Sequence, residues 1–160
     1  LNLKIMASIS EMEQRIKLLN QRCYQLAEET ALQTKEQYLN LNATQLAMGI
    51  QSNEEAITLD GRDYTPRTKD LKLKYGVGLG RVVEHVTLYS TGSFYKTLEL
   101  YIDQKNIFVR SPVPYATDLI KRTTNKIFGL TPENKKEYAF GAFLTNLKPK
   151  ISEILKLNFV

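Results

Sequence analysis

The fold is decided by the stretch Val86-Thr-Leu-Tyr-Ser-Thr-Gly-Ser-Phe-Tyr-Lys-Thr-Leu-Glu-Leu-Tyr-Ile102, which leads through Asp103-Gln-Lys-Asn106 into Ile107-Phe-Val-Arg-Ser111. In the first part, residues rich in aromatic and β-branched types alternate with a period of two, which is typical of a half-buried strand. Residues 103–106 are turn formers, and a short apolar segment follows them. The pattern therefore predicts a β-hairpin, and it is the one strong sheet signal in the sequence.

The two faces of the predicted strand differ in polarity. One face is expected to carry, with Lys96 as an exception, the apolar residues Phe94, Leu98, Leu100 and Ile102. The opposite face is expected to carry Tyr95, Thr97, Glu99 and Tyr101. The strand is entered through Thr91-Gly92, where the glycine can take a positive φ and permit a sharp bend.

The composition is that of an ordinary globular protein. Of the 160 residues, 42% are hydrophobic and 24% are charged, which favours a single domain over residues 1–160 with a real core. No run approaches the roughly 18 apolar residues of a membrane span, so no membrane contact is expected. The first ten residues lack a signal-peptide pattern. The single cysteine, Cys23, excludes an internal disulfide and fits a reducing compartment.

Residues 1–48 contain neither Gly nor Pro and are predicted to form a helical arm, bent near Thr30. Apolar residues recur at spacings of four and three, which places them in one stripe along a helix. The stripe consists of Ile5, Ile9, Met12, Ile16, Leu19, Cys23 and Leu26. One interpretation is that the stripe packs on its own domain or on a neighbouring subunit. The alternative is that it mediates self-association of the helix. In both cases Cys23 is expected to be buried. The candidate subunit contacts are Ile9, Met12, Ile16 and Leu19.

Residues 51–82 form a long polar connection, which is predicted to be an extended basic loop with at most a helical turn near Thr68–Lys74. A loop of this length is either functional or ordered by a partner. Net charge is +5, and the candidate contacts to DNA or to an acidic protein are Arg62, Arg67, Lys69, Lys72, Lys74 and Arg81. A solvated basic loop is the equally weighted alternative. Further basic residues follow at Lys121, Arg122 and Lys126.

Residues 83–160 are predicted to hold the hairpin and the C-terminal helices, so the fold class is α+β with helices on one face of a small sheet. A short helix is expected over 115–124. Residues 126–130 should form a small apolar knot or a third short strand. Thr131-Pro132 reads as a helix start with Thr at the N-cap. Pro149 is expected to kink the last helix or split it in two.

The sequence offers no catalytic, cofactor or metal constellation. Its one histidine, His85, precedes an apolar strand and is expected to be packed or at the surface. Gly76-x-Gly78-x-Gly80 lacks the spacing of a dinucleotide or phosphate loop and is expected to be a flexible loop. The aspartates at 60, 63 and 70 do not have the spacing of an EF-hand. We therefore expect neither an enzyme nor a bound cofactor or metal.

Four motifs in order carry a resemblance to a known class. They are Leu41-Asn-x-x-Gln45-Leu-x-x-Gly49-Ile, Asp60-Gly-x-x-Tyr64-x-x-Arg67-Thr, Val86-Thr-Leu-Tyr-x-Thr91-Gly-x-Phe94-Tyr-x-x-Leu98 and Ile127-Phe-Gly-Leu-Thr-x-Glu-Asn134. Over residues 38–157 the chain resembles virion-morphogenesis proteins of tailed bacteriophages, of the neck or tail-completion type. Short-tailed phages of gut bacteria are included in that class.

The resemblance implies a non-enzymatic virion protein that forms a ring of copies between portal and tail, assembled in the host cytoplasm. Its implied partners are itself, the portal and adjacent neck or tail proteins, with transient DNA contact as a further expectation. The chain departs from the family pattern in its final segment, which is helical and carries Pro149. The alternative is a basic DNA-binding accessory protein.

Overall fold

The computed structural model describes residues 2–103 and 105–156, with side chains from residue 8 onward. It confirms the α+β class, with a long N-terminal helix, a central two-stranded antiparallel sheet and C-terminal helices. The α-helices are α1 Asn2–Gln33, α2 Lys35–Ala47, α3 Pro66–Tyr75, α4 Ser93–Lys96, α5 Ala116–Arg122, α6 Pro132–Glu137 and α7 Leu144–Leu155. The strands are β1 Glu99–Asp103 and β2 Asn106–Arg110.

The hairpin forms where the sequence predicts it, but its first strand starts later. Ser93–Lys96 is a helical turn, so the prediction of a strand from Phe94 is wrong for this part. Gly92 has a φ of 83°, and the Thr97 hydroxyl donates to the Ser93 carbonyl at 2.9 Å, which closes the turn. Phe94 still reaches the core with 1% of its surface exposed.

Strands β1 and β2 pair in a register that separates a buried face from an exposed one. Leu100 pairs with Val109, and both side chains are buried. On the opposite face, Tyr101 stacks on Phe108 with ring centroids 5.3 Å apart. The alternation predicted from Leu98 to Ile102 is thus confirmed, because one-sided burial fixes strand register.

The N-terminal arm breaks at Thr34 rather than near Thr30. The Thr34 hydroxyl bonds the Thr30 carbonyl at 2.8 Å and lies 2.7 Å from the Tyr138 hydroxyl. Thr30 bonds back to Leu26 in the same way. Hydroxyls that bond to the preceding turn bend helices, and here a tertiary partner fixes the position of the bend.

The core lies between α2, the hairpin and the segment before α6. Tyr38 and Leu46 of α2 are buried, so the second half of the expected arm belongs to the core. The other buried apolar residues of this cluster are Ile57, Val86, Leu88, Phe94, Leu98, Leu100, Val109, Ala116, Ile127, Leu130 and Tyr138. Residues 125–127 form a 3₁₀ turn, so the knot at Ile127 and Leu130 is confirmed and the third strand is not.

The connection between α2 and the hairpin is more regular than predicted. Asp60 and Gly61 have φ of 55° and 74° in a tight turn closed by Leu59 and Arg62, as Asp-Gly turns do. Helix α3 has ten residues rather than one turn. Thr65 caps it by accepting from the Thr68 amide, and Pro66 is its first residue.

The C-terminal region breaks at a different place from the one predicted. Thr131 caps α6 as expected, by accepting from the Asn134 amide. A π-helical segment, Tyr138–Phe143, then joins α6 to α7. Helix α7 continues past Pro149, so the predicted split there is wrong. The π-helical segment supplies the discontinuity instead.

Candidate functional site

Helices α1 and α7 pack together as an antiparallel pair. Near the C-terminal end of α7, the Arg15 guanidinium donates to the Leu155 carbonyl at 3.3 Å. At the other end, Phe143 shares a cavity with Ala27 and Ala31 of α1. Helix α1 therefore packs mainly against α7 where it extends from the core.

Helix α7 divides the apolar stripe of α1 in two. Met12 and Leu19 are half-buried and Leu26 is buried. Ile9 and Ile16, seven residues apart on the adjacent side, are 61% and 47% exposed. The predicted stripe is real, but α7 covers one edge of it. Ile5 of the predicted stripe lies outside the described side chains.

Cys23 continues the uncovered edge of the stripe. Its side chain is exposed and contacts the Asn20 carbonyl at 3.3 Å, so the prediction of a buried cysteine is wrong. The physical reason is that seven residues separate Ile9 from Ile16 and Ile16 from Cys23, which puts all three on one side of the helix. We call Ile9, Ile16 and Cys23 the open seam.

Helix α7 is itself incompletely covered. Its apolar side chains recur at spacings of three and four, yet none is fully buried. The half-buried residues are Leu144, Leu147, Ile151, Ile154 and Leu155. None of them belongs to the core cluster. A strongly amphipathic helix normally buries its apolar face against a core. The partly exposed apolar faces of α1 and α7 therefore have the character of a protein–protein interface.

The six basic residues predicted to form one contact surface have different environments. Lys69 pairs with Asp63 at 2.9 Å, and this partner lowers the pKa of the Asp63 carboxyl. Arg81 donates to the Gly76 carbonyl at 2.9 Å. Arg62 and Arg67 are exposed. The structure thus uses part of the basic set for local contacts.

Lys72 turns inward rather than toward solvent. Its ammonium donates to the Tyr89 carbonyl at 3.0 Å and lies 4.7 Å from the centroid of the Tyr64 ring. Lys74, by contrast, is exposed and lies over the Tyr75 ring at 5.1 Å. Lys72 marks the wall of a cavity beneath α3 that the sequence did not predict.

The cavity beneath α3 has a volume of about 390 Å³. It is lined by aliphatic side chains, three tyrosines and two cationic side chains. The lining includes Leu59, Tyr64, Leu71, Lys72, Tyr75, Leu88, Tyr89, Leu119 and Arg122. It is large enough for a bulky side chain, near the lower end of the usual range for ligand pockets.

The three glycines after α3 form a compact turn rather than the expected flexible loop. A Cβ built on Gly76 would lie 2.4 Å from the carbonyl oxygens of Gly80 and Lys72. Residues 78–81 form a 3₁₀ turn. Close backbone approach therefore requires a glycine at 76, and the positive φ of 54° favours one at 78, so both have a structural reason that involves no phosphate ligand.

His85 is packed against the C-terminal end of α2. Its Nε2 lies 2.8 Å from the Ala47 carbonyl, and a Cβ on Gly49 would lie 2.6 Å from its Cδ2. Gly49 has a φ of 74°, and the amides of Gly49 and Ile50 bond the carbonyls of Leu46 and Gln45. This is a Schellman motif, so His85 and Gly49 have a structural role.

The motifs that carry the family resemblance converge on a buried polar network. The Gln45 side chain accepts from the Thr131 amide at 2.8 Å and donates to the Gly129 carbonyl at 3.2 Å. Asn42 donates to the carbonyls of Ile127 and Gly129. These residues belong to the first and fourth motifs, but the motifs do not predict the contact between them. Two amide side chains three residues apart on a buried helix face were the available signal.

The second and third motifs also meet. The Thr87 amide donates to the Tyr64 hydroxyl at 3.1 Å, and the Tyr95 hydroxyl donates to the Thr87 carbonyl. Asp60 pairs with Arg122 at 3.0 Å and its amide donates to the Arg122 carbonyl. These contacts join the turn before α3 to the hairpin entrance and to α5.

No family model, no curated protein and no solved structure matches this chain. Within the described part of the chain, no helix is both long and apolar enough to cross a membrane. In the same residues, no group of three His, Cys, Asp or Glu side chains is arranged to hold a metal ion.

Proposed function

We propose that this chain is a structural subunit that assembles with copies of itself into a ring, at the junction between portal and tail of a tailed bacteriophage. The observation that supports assembly is the open seam, together with the half-buried apolar face of α7. Exposed apolar side chains aligned along two packed helices are typical of protein–protein interfaces. The assignment to a phage neck rests on the four ordered sequence motifs.

The seam suits a contact between copies of the chain. A ring needs one patch and its complement on every subunit, related by a rotation that closes. The seam offers a long, narrow apolar patch that a helix of a neighbouring copy can cover by ridges-into-grooves packing. The candidate subunit contacts predicted from the sequence thus differ in exposure: Met12 and Leu19 are half-buried, and the exposed Ile9 and Ile16 are proposed to face the neighbour.

The experiment is to mix the purified protein with the portal protein of the same phage and examine the product by electron microscopy. We expect an added ring of density on the portal. Cys23 supplies a second readout, because an exposed thiol reacts with alkylating agents and a covered one does not. Alkylation should be rapid in the isolated chain and slow after assembly.

The same mixture distinguishes the alternative function. A DNA-binding accessory protein would ignore the portal and retard DNA on a gel, with affinity falling steeply as salt increases. An unchanged portal, an equally reactive Cys23 and a DNA shift together would overturn the proposed function.

A further inference from the structure

Helix α3 and the cavity beneath it form a surface that is separate from the open seam. None of the side chains of α3 is fully buried, although the helix is well capped and ordered by contacts at both ends. It stands off the core and leaves the cavity between Leu71 above and Leu88 and Leu119 below. A surface helix with this arrangement presents both a ridge and a pocket.

The exposed side of α3 beside the cavity, which we call the ridge, is apolar. A basic helix that faced only water would be polar there. Leu71 and Tyr75, one turn apart on the same side of α3, form this ridge and are 49% and 68% exposed. Leu71 and Tyr75 also line the cavity, so the ridge continues into the pocket. Apolar side chains that surround a pocket are what an interface anchor residue requires.

The charge around this surface is positive. Between residues 60 and 75 there are five Lys or Arg residues and three Asp residues, and Arg122 adds a further cation at the cavity. Two of the three carboxylates are already paired, Asp63 with Lys69 and Asp60 with Arg122. Arg67 and Lys74 lie exposed beside the ridge. Asp70 lies about one turn from both Arg67 and Lys74, so a carboxylate brought to the ridge meets two cations and one carboxylate, and the local charge stays net positive.

We propose that α3 and its cavity bind an acidic peptide segment of a partner protein, with one bulky apolar side chain of that segment in the cavity and its carboxylates beside Arg67 and Lys74. The cavity supplies the anchor and the exposed cations supply the orientation. This surface does not involve the open seam, so it provides the chain with a second, different contact.

The apolar ridge favours a protein over a nucleic acid. Neutralising phosphates requires cations alone and would leave Leu71 and Tyr75 in water. Lys72 is also turned into the cavity wall, where its ammonium bonds the Tyr89 carbonyl. A peptide with apolar and acidic residues covers the ridge and the cations at the same time.

The probe is a random dodecapeptide library displayed and selected on the full-length protein, followed by binding measurements on the enriched peptides. We expect the enriched peptides to share a bulky apolar residue flanked by Asp or Glu. Leu71→Asp should weaken their binding at least tenfold, whereas Leu32→Asp, at a Leu of similar exposure on α1, should leave it unchanged.

A second pair of variants tests the charge without disturbing the pocket. Lys74→Glu should weaken binding severalfold, and Lys135→Glu, at an exposed lysine of α6, should not. Enrichment of basic or purely polar peptides, or binding that Leu71→Asp leaves intact, would overturn the proposal. The proposal would also be overturned if a thymidylate dodecamer displaced the peptides and its binding were weakened by Lys74→Glu but not by Leu71→Asp. That result would assign the surface to DNA. Because these readouts do not involve the portal, they stand apart from the test of ring assembly.

Discussion

Gly49 combines a positive φ of 74° with close contact to the His85 ring, and the two effects can be separated. Gly61 has the same φ but nothing within 4 Å of the position a Cβ would take. Gly61→Ala should therefore lower the free energy of unfolding by about 1 kcal/mol, which is the strain of an alanine at a positive φ. Gly49→Ala should cost about 3 kcal/mol, because it also forces the histidine to move. Urea denaturation measures both. Equal losses would contradict the packing described for His85.

Three tyrosine hydroxyls make the stability of the fold sensitive to alkali. Burial raises the pKa of Tyr95, and burial followed by the nearby Tyr138 raises the pKa of Tyr38 above its usual value near 10. Burial also raises the pKa of Tyr138 itself. The folded chain holds these protons more tightly than the unfolded chain does. The resulting stability is present in full below about pH 10 and is lost as pH rises above it.

The measurement is the unfolding free energy between pH 9 and pH 12. We expect a decline above about pH 10, accompanied by tyrosinate absorbance that appears late for the buried rings. Tyr95→Phe should flatten part of the decline, and Tyr101→Phe, at the exposed stacked ring, should leave it unchanged. A decline of the same size in both variants would show that the buried hydroxyls are not its source.

At the scale of elements, Gln45 fastens α2 to the segment that precedes α6. Gln45→Leu leaves the Thr131 amide without its acceptor in a buried site and should cost about 2 kcal/mol or more. Gln37→Leu, on the exposed side of the same helix, should change stability by no more than about 0.5 kcal/mol. Thermal and urea unfolding of the two variants compare them directly. If the Gln45 variant were as stable as the Gln37 variant, the hydrogen bonds of Gln45 would not stabilise the packing of α2 on the segment before α6.

The open seam makes a prediction about assembly rather than folding. Ile9→Glu combined with Ile16→Glu changes two exposed side chains, so far-UV circular dichroism and unfolding free energy should stay close to those of the unmodified chain. Burying those carboxylates in a subunit contact is costly, so ring formation on the portal should be lost. The control is Leu32→Glu, at an exposed leucine of α1 outside the open seam, and this variant should assemble normally.

How far the sequence predicts these elements depends on whether the information is local. The hairpin register, the Thr131 cap and the stripe of α1 follow from patterns within a few residues, and the structure confirms them. The break at Thr34 and the helical turn at Ser93–Lys96 depend on partners elsewhere, such as Tyr138 for Thr34. The exposure of Cys23 does not follow from the sequence, because a stripe does not reveal which of its edges the partner helix covers. The cavity beneath α3 has no local signature, since residues from 59 to 122 line it.

At the scale of the whole molecule, an α+β core carries two unlike surfaces. The α1–α7 pair is proposed for contact between copies, and α3 with its cavity is proposed for contact with an acidic partner. Of the basic residues from 62 to 81, Lys69, Lys72 and Arg81 have partners within the chain. Separate surfaces of different chemistry are what a subunit between two other protein layers would require.

The most direct test of the central claim is the mass of the complex formed with the portal, measured by native mass spectrometry for the unmodified chain and for the Ile9→Glu/Ile16→Glu variant. We expect several copies of the unmodified chain per portal, the same number for Leu32→Glu, and loss of the ring for the double variant. Equal numbers of copies for all three proteins would contradict a contact through the open seam. A protein that stays monomeric and ignores the portal would contradict the proposed function as a whole.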